Sequence, residues 1–231
     1  MGRWLASRIG CDCPLCGARV AGARLCVGCQ ADITAAPPGS GPRCPRCALR
    51  LPATASTCPA CLGAPRAYQR TIVAFDYLPP ADALIRMLKT QLRLSMAPVL
   101  ARLLADAVRA EGELPDGVVL APIPASRASL RLRGMNPAAE IARSLSAELH
   151  VPLVRHALRR RRETPRQTAL GRRARQQVAA GVFLGAPSVR GRHVAVVDDV
   201  MTTGSTVEAA AVALLAAGAA GVTVLVAART P

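Results

Sequence analysis

The feature that most restricts what this chain can fold into lies in residues 194–217, where an apolar run, two adjacent acids, a hydroxyl-rich glycine turn and a helix-forming stretch follow one another directly. Val194, Ala195, Val196 and Val197 form the short continuous apolar run of a central parallel strand. Residues 207–217 read as a helix, so the turn between them, TTGST, sits at a helix N-terminus. Unsatisfied backbone N–H groups and the positive end of the helix dipole meet there, and an anion such as phosphate fits. Thr202, Thr203, Ser205 and Thr206 add hydroxyl donors, and Gly204 lets the backbone approach closely. Asp198 and Asp199 fall at the carboxyl end of the strand, where open α/β sheets place their ligands, and two carboxylates there suit the vicinal hydroxyls of a ribose. An ordinary capped turn explains one acid or one Thr, but not two acids and four hydroxyls in this order.

Eight cysteines form four C-x-x-C pairs: Cys13 with Cys16, Cys26 with Cys29, Cys44 with Cys47, and Cys58 with Cys61. Each pair is a knuckle that points two thiolates at one metal, and two knuckles complete a tetrahedral zinc site, so two structural zinc ions are expected. Sequential pairing of the knuckles and an interleaved cross-brace are both open. The nine residues between Cys16 and Cys26 and the ten between Cys47 and Cys58 suit two short sequential ribbons. Cys11 reads as a spare thiol. A disulfide framework is disfavoured because the opening MGRWLASRIG has no apolar signal region, and a reducing cytoplasmic location is expected.

The 231 residues allow one α/β domain and a small metal-stapled domain, with residues 1–65 expected as the ribbons and 66–231 as the larger unit. Strands are expected at about 71–77, 118–122, 193–198 and 222–228, and helices near 80–91, 97–111, 137–149 and 206–217. Their alternation argues for a parallel sheet. That unit has its own apolar core and is expected to stay folded when the ribbons lose metal. Residues 209–228 are apolar for a length that would span a bilayer, but Gly218 and Gly221 break the run. Ala and Leu precede the break and β-branched residues follow it, so helix then buried strand explains the stretch and no membrane span is expected.

The net charge of +16 is carried by arginine, with Lys89 the sole lysine. Arg155, Arg159, Arg160, Arg161, Arg162, Arg166, Arg172, Arg173 and Arg175 crowd one region in which Glu163 is the single acid. A solvated face normally interleaves acids, so a polyanion surface is expected, with Arg159 to Arg162 as its candidate nucleic-acid contacts. Phosphate contacts of that kind give affinity without sequence preference. Aromatic residues are too few for a base-stacking platform, and the three histidines have no ligand spacing.

Taken in order, the four C-x-x-C pairs, IRMLK at 85–89, APIP at 121–124, RLRGMN at 131–136, TPRQTAL at 164–170, VVDDVMTTGST at 196–206 and ART at 228–230 resemble the ComF/GntX family. The resemblance implies a type I phosphoribosyltransferase-like parallel sheet with a small N-terminal double zinc ribbon domain. It further implies that Asp198 and Asp199 hold the ribose hydroxyls of phosphoribosyl pyrophosphate (PRPP). Thr202, Thr203, Gly204, Ser205 and Thr206 would hold its 5′-phosphate, and magnesium accompanies the pyrophosphate. Ser126 and Arg127 follow the strand expected at 118–122 and are the candidate pyrophosphate contacts, with Arg133 and Asn136 behind them. Two functions follow. One is a competence-type protein that binds PRPP or a related ligand together with single-stranded DNA during DNA uptake or processing, alongside competence or recombination proteins. The other is a phosphoribosyltransferase acting on an unknown acceptor, for which no catalytic residue is assigned.

Overall fold

A computed structural model describes residues 10–55, 58–62, 66–161 and 181–231. The expected boundary at residue 65 falls on residues outside this set, as do Arg162 and the rest of the arginine-rich stretch through Arg175.

The centre is a four-stranded sheet in the order β5–β10–β9–β6, made of β5 (Arg70–Asp76), β6 (Val119–Pro122), β9 (His193–Met201) and β10 (Gly221–Arg229). All three pairings are parallel. Such strands are buried on both faces, which is why β10 is buried at every position. Strand β9 runs three residues beyond its expected end, because Val200 and Met201 find ladder partners in Ala228 and Arg229. Asp198 and Asp199 are therefore held within a paired strand.

Period-two alternation divides the core in two. Ile72, Ala74, Leu120, Ala195, Val197, Leu225 and Ala227 face α2 (Asp82–Lys89), α3 (Met96–Ala110) and α5 (Pro137–Leu149). Val73, Val119, Ala121, Val194, Val196, Val222, Val224 and Val226 face α6 (Ser205–Ala216) and the short hairpin of β7 (Leu158–Arg160) and β8 (Phe183–Gly185). The long apolar run breaks at Gly218, whose φ is +91°, into α6 and β10. None of the described helices is long and apolar enough to cross a membrane.

Each ribbon packs on a different face. The first comprises β1 (Gly10–Asp12), β2 (Arg19–Ala21) and α1 (Val27–Thr34), and its Cys13, Leu25 and Ile33 join the core of the α3 face. The second, with β3 (Ser40–Arg43) and β4 (Arg50–Pro52), places Cys44, Cys47, Ala48, Leu51 and Cys58 in the core of the α6 face.

Besides α1 in the first ribbon, one α-helix lies outside those expected: α4 (Arg127–Arg133), directly after β6. It buries no residue, so no apolar period announced it. Its ends are set locally, by Ser126, whose Oγ accepts from Ser129 N at 3.1 Å, and by the left-handed Gly134.

Candidate functional site

The carboxyl ends of β9, β6 and β5 meet at one edge of the sheet, and the acids of 198–199 lie there with the turn that follows them. Gly204 adopts φ +77°, and a Cβ on it would lie 2.6 Å from Met201 Cε and 3.5 Å from the Tyr68 hydroxyl. The left-handed backbone conformation favours glycine, and a side chain there would in addition displace the end of Met201. Gly204 at the N-cap has no side chain to cap α6, so the first-turn N–H groups beyond that of Ser205 remain available to a ligand. Thr202, Thr203 and Thr206 are exposed beside them, Gly204 is buried and Ser205 is half-buried. Ser205 N reaches Thr203 Oγ1 at 3.4 Å, and the two hydroxyls lie 3.1 Å apart. The five turn residues thus lie together at the start of α6, three of them exposed.

The two acids differ. Asp199 is buried, accepts from Val200 N at 2.8 Å and meets Lys89 Nζ at 2.6 Å. Lys89 ends α2 and was not expected at the site; its one sequence signal was that it is the sole lysine, within IRMLK. Asp198 accepts from Asp199 N at 2.9 Å. Part of its surface is open to solvent, yet it lies deep in the protein. Burial first, and the neighbouring Asp199 charge second, push its carboxyl up to about 8 against the partial relief given by Lys89.

Ser126 and Arg127 stand at the start of α4, at the same edge. Ser126 is occupied in capping, its Oγ also donating to Ser129 Oγ at 2.9 Å. Asn136 donates from Nδ2 to Ile123 O at 2.9 Å and so holds the APIP turn against the start of α5, where Pro137 takes the first helical position. Of the arginine run, Arg159 and Arg161 are exposed, whereas Arg160 lies over the Phe183 ring at 5.1 Å. Strand alternation has split the run between two faces.

The eight knuckle cysteines form two groups, Cys13, Cys16, Cys26 and Cys29, and Cys44, Cys47, Cys58 and Cys61, each with its sulfurs within 4.8 Å of one another. Pairing is sequential. Sγ atoms lie 3.5 Å apart for Cys16 and Cys26, 3.6 Å for Cys47 and Cys58, and 3.9 Å for Cys44 and Cys61. Four sulfurs about 2.3 Å from one zinc stand about 3.8 Å apart, so the groups fit that ion. The knuckles repeat one backbone pattern: Gly17 N donates to Cys13 O at 2.9 Å, and Ala48 N to Cys44 O at 2.8 Å. Burial opposes ionisation of Cys13, but backbone donors from Cys26, Cys16 and Leu15 outweigh it and bring the thiol down to about 6. Cys44 is lowered in the same way. Cys29 is pushed up by hydrogen bonding with Cys16, and Cys47 by burial. A cation among the sulfurs would relieve that crowding of like charge. Cys11 belongs to neither group and pairs with Val20 between β1 and β2.

Residues 130–231 match the phosphoribosyl transferase domain family. The chain is 40% identical over 194 residues to the DNA utilization protein YhgH of Escherichia coli, covering 81% of this chain and 84% of that protein. A Salmonella typhimurium protein of the same name is 37% identical over 192 residues, with the same coverage. Competence protein F of Haemophilus influenzae is 33% identical over 190 residues, covering 79% of this chain and 80% of its own. With a phosphoribosyl transferase domain, two four-cysteine groups before it and relatives of this identity along most of its length, the chain belongs to the ComF/GntX family.

Proposed function

We propose that the edge formed by Asp198, Asp199 and the turn at 202–206 binds PRPP or a closely related 5-phosphorylated ribose, and that the protein couples this binding to single-stranded DNA. The observation that carries the first part is the uncapped N-terminus of α6 behind Gly204, directly after two carboxyl groups. Backbone N–H groups and the hydroxyls of Thr202, Thr203, Ser205 and Thr206 take the phosphate; Asp198 accepts from the ribose hydroxyls, and Lys89 holds Asp199 in place beside it. Arg127, across the edge, takes the pyrophosphate end, with Ser126 capping the helix that carries it. Hydroxyl and carboxyl groups line the site, the hard-oxygen surroundings that suit a magnesium ion carried on the ligand's own pyrophosphate oxygens.

The DNA part is supported by the exposed Arg159 and Arg161, by the net charge of +16, and by the names of the relatives, a DNA utilization protein and a competence protein. A cytoplasmic place alongside competence or recombination proteins accords with that reading. The test is calorimetric titration with PRPP beside a single-stranded DNA titration at two salt concentrations. Saturable binding of both, with DNA affinity falling as salt rises, is expected; absence of PRPP binding by the folded, zinc-loaded protein would overturn the first part.

The match to the phosphoribosyl transferase domain family favours a second reading, in which the same site transfers ribose 5-phosphate to a nitrogen nucleophile. Such chemistry needs positioning and charge stabilisation more than a protein base. Release of pyrophosphate from PRPP with candidate acceptors distinguishes the two.

A further inference from the structure

Arg229 is 4% exposed and sits at the carboxyl end of β10, in register with Asp76 of β5 on one side and Met201 of β9 on the other. Its Nε donates to Cys47 O at 3.2 Å, across 182 positions of sequence. Its Nη1 reaches Met201 O at 3.3 Å, and also the oxygens of Thr230. Cys47 belongs to the second four-cysteine group, and Met201 is the residue before Thr202. One buried guanidinium therefore spans from a metal knuckle to the start of the ligand turn. We propose that the second ribbon is a structural wall of the phosphoribosyl site, with Arg229 as the positioning residue that makes its metal occupancy and the geometry of residues 198–206 depend on each other. The proposal rests on the reading of those residues as the PRPP loop.

Charge supports the link. Asp76 meets Arg43 at 3.0 Å and Arg50 at 3.1 Å, on the two strands that flank the Cys44–Cys47 knuckle, and Arg229 is its cross-strand neighbour. Three guanidinium groups around one carboxylate leave two positive charges in excess. Four thiolates on one divalent zinc leave two negative charges, so the filled knuckle balances an arginine cluster that would otherwise be poorly matched.

The far side of the turn rests on the segment that leads from the second ribbon into β5. Tyr68, 1% exposed, presents its hydroxyl to Gly204, and Glu208 in the first turn of α6 accepts from Ala67 N at 3.0 Å. These residues closely follow the Cys58 and Cys61 knuckle in the chain. By contrast, the first ribbon's polar contacts run to α3, from Gln30 to Asp106 and from Arg102 to Ala23 O.

Coupling of this kind is reciprocal, so if metal in the second ribbon favours the binding geometry, PRPP must tighten that metal by the same factor. The test uses the full chain loaded with two zinc ions and titrates it to equilibrium with a chromophoric chelator of known zinc affinity, with and without saturating PRPP. One of two steps of zinc release is expected to need about tenfold more chelator. That shifted step should be missing in Cys47→Ser and kept in Cys16→Ser. Arg229→Met should retain both zinc ions, lose the protection and bind PRPP about tenfold more weakly, with Arg229→Lys recovering part. Independently of ligand, amide hydrogen exchange across 198–206 should quicken in Cys47→Ser and not in Cys16→Ser. If calorimetry shows PRPP bound while zinc release is unaffected, or if exchange in 198–206 is unchanged in Cys47→Ser, the coupling is wrong. If PRPP does not bind at all, the reading of the pocket fails, and the exchange comparison still decides the coupling.

Discussion

Adjacent in sequence, Asp198 and Asp199 are in different electrostatic situations, and both lead to measurements. Asp199 already has its cation in Lys89, at 2.6 Å. Lys89→Met should leave a buried carboxylate without its cation and lower stability by about 1–3 kcal/mol, below the full value for a buried pair because Lys89 is itself about a quarter exposed. Urea denaturation checks this, and Lys89→Met combined with Asp199→Asn should recover part of the loss. Asp198, held up to about 8 by burial and its neighbour, is mostly protonated at neutral pH. Ribose hydroxyls donating to its carboxylate favour the charged form, so binding releases a proton and PRPP affinity should rise with pH. From pH 7 to 9 the gain should be about tenfold and then level off, and Asp198→Asn should abolish the dependence. For folding, a carboxyl raised above its ordinary value contributes most at acid pH, and that contribution is lost as pH rises through about 8. Replacing both acids by Asn should weaken PRPP binding at least about tenfold by calorimetry, since each charge-assisted hydrogen bond contributes roughly 1.5–3 kcal/mol. The position of both acids was legible in the sequence. Their inequality was not, because it depends on a lysine carried in from α2.

Among the elements, those with a long apolar period were readable and the short ones were not. Strands β9 and β10 and helices α3 and α5 lie within a few residues of expectation, since burial on two faces or one stripe imprints itself on sequence. Helix α4 buries nothing, and β7 and β8 have three residues each, too few for a pattern. The hairpin matters for the arginine run, because pairing with β8 turns Arg160 onto Phe183 and leaves Arg159 and Arg161 outward. Arg159→Ser with Arg161→Ser should weaken single-stranded DNA binding evenly across sequences and make the log-affinity against log-salt slope shallower by about 1.4, at about 0.7 per phosphate. Arg160→Ser should act more on thermal stability than on the salt slope, through loss of its stacking. Fluorescence titrations over a salt series beside thermal melts separate the two effects.

At the scale of the whole molecule the ribbons are part of the core. Cys13 is 2% exposed on the α3 face, and Cys44 and Cys47 are 4% and 1% exposed on the α6 face. Metal analysis of protein purified under reducing conditions should return about two zinc ions per chain. The expectation that the sheet would ignore their loss changes with this packing: chelation should lower the melting temperature of the α/β core as well as disorder the ribbons, seen as one shifted transition in calorimetry. The strand, acid pair, turn and helix of residues 194–217 and the four knuckles are legible in the amino acids alone, because each is written in neighbouring residues whose spacing is itself the chemistry. The choice of partner for each knuckle, the face each ribbon covers, the meeting of Lys89 with Asp199 and the link of Arg229 from Cys47 to Met201 emerge only when the chain has folded. Those contacts are set by how the chain closes on itself, and no local pattern of side chains encodes the distance between residues 182 positions apart.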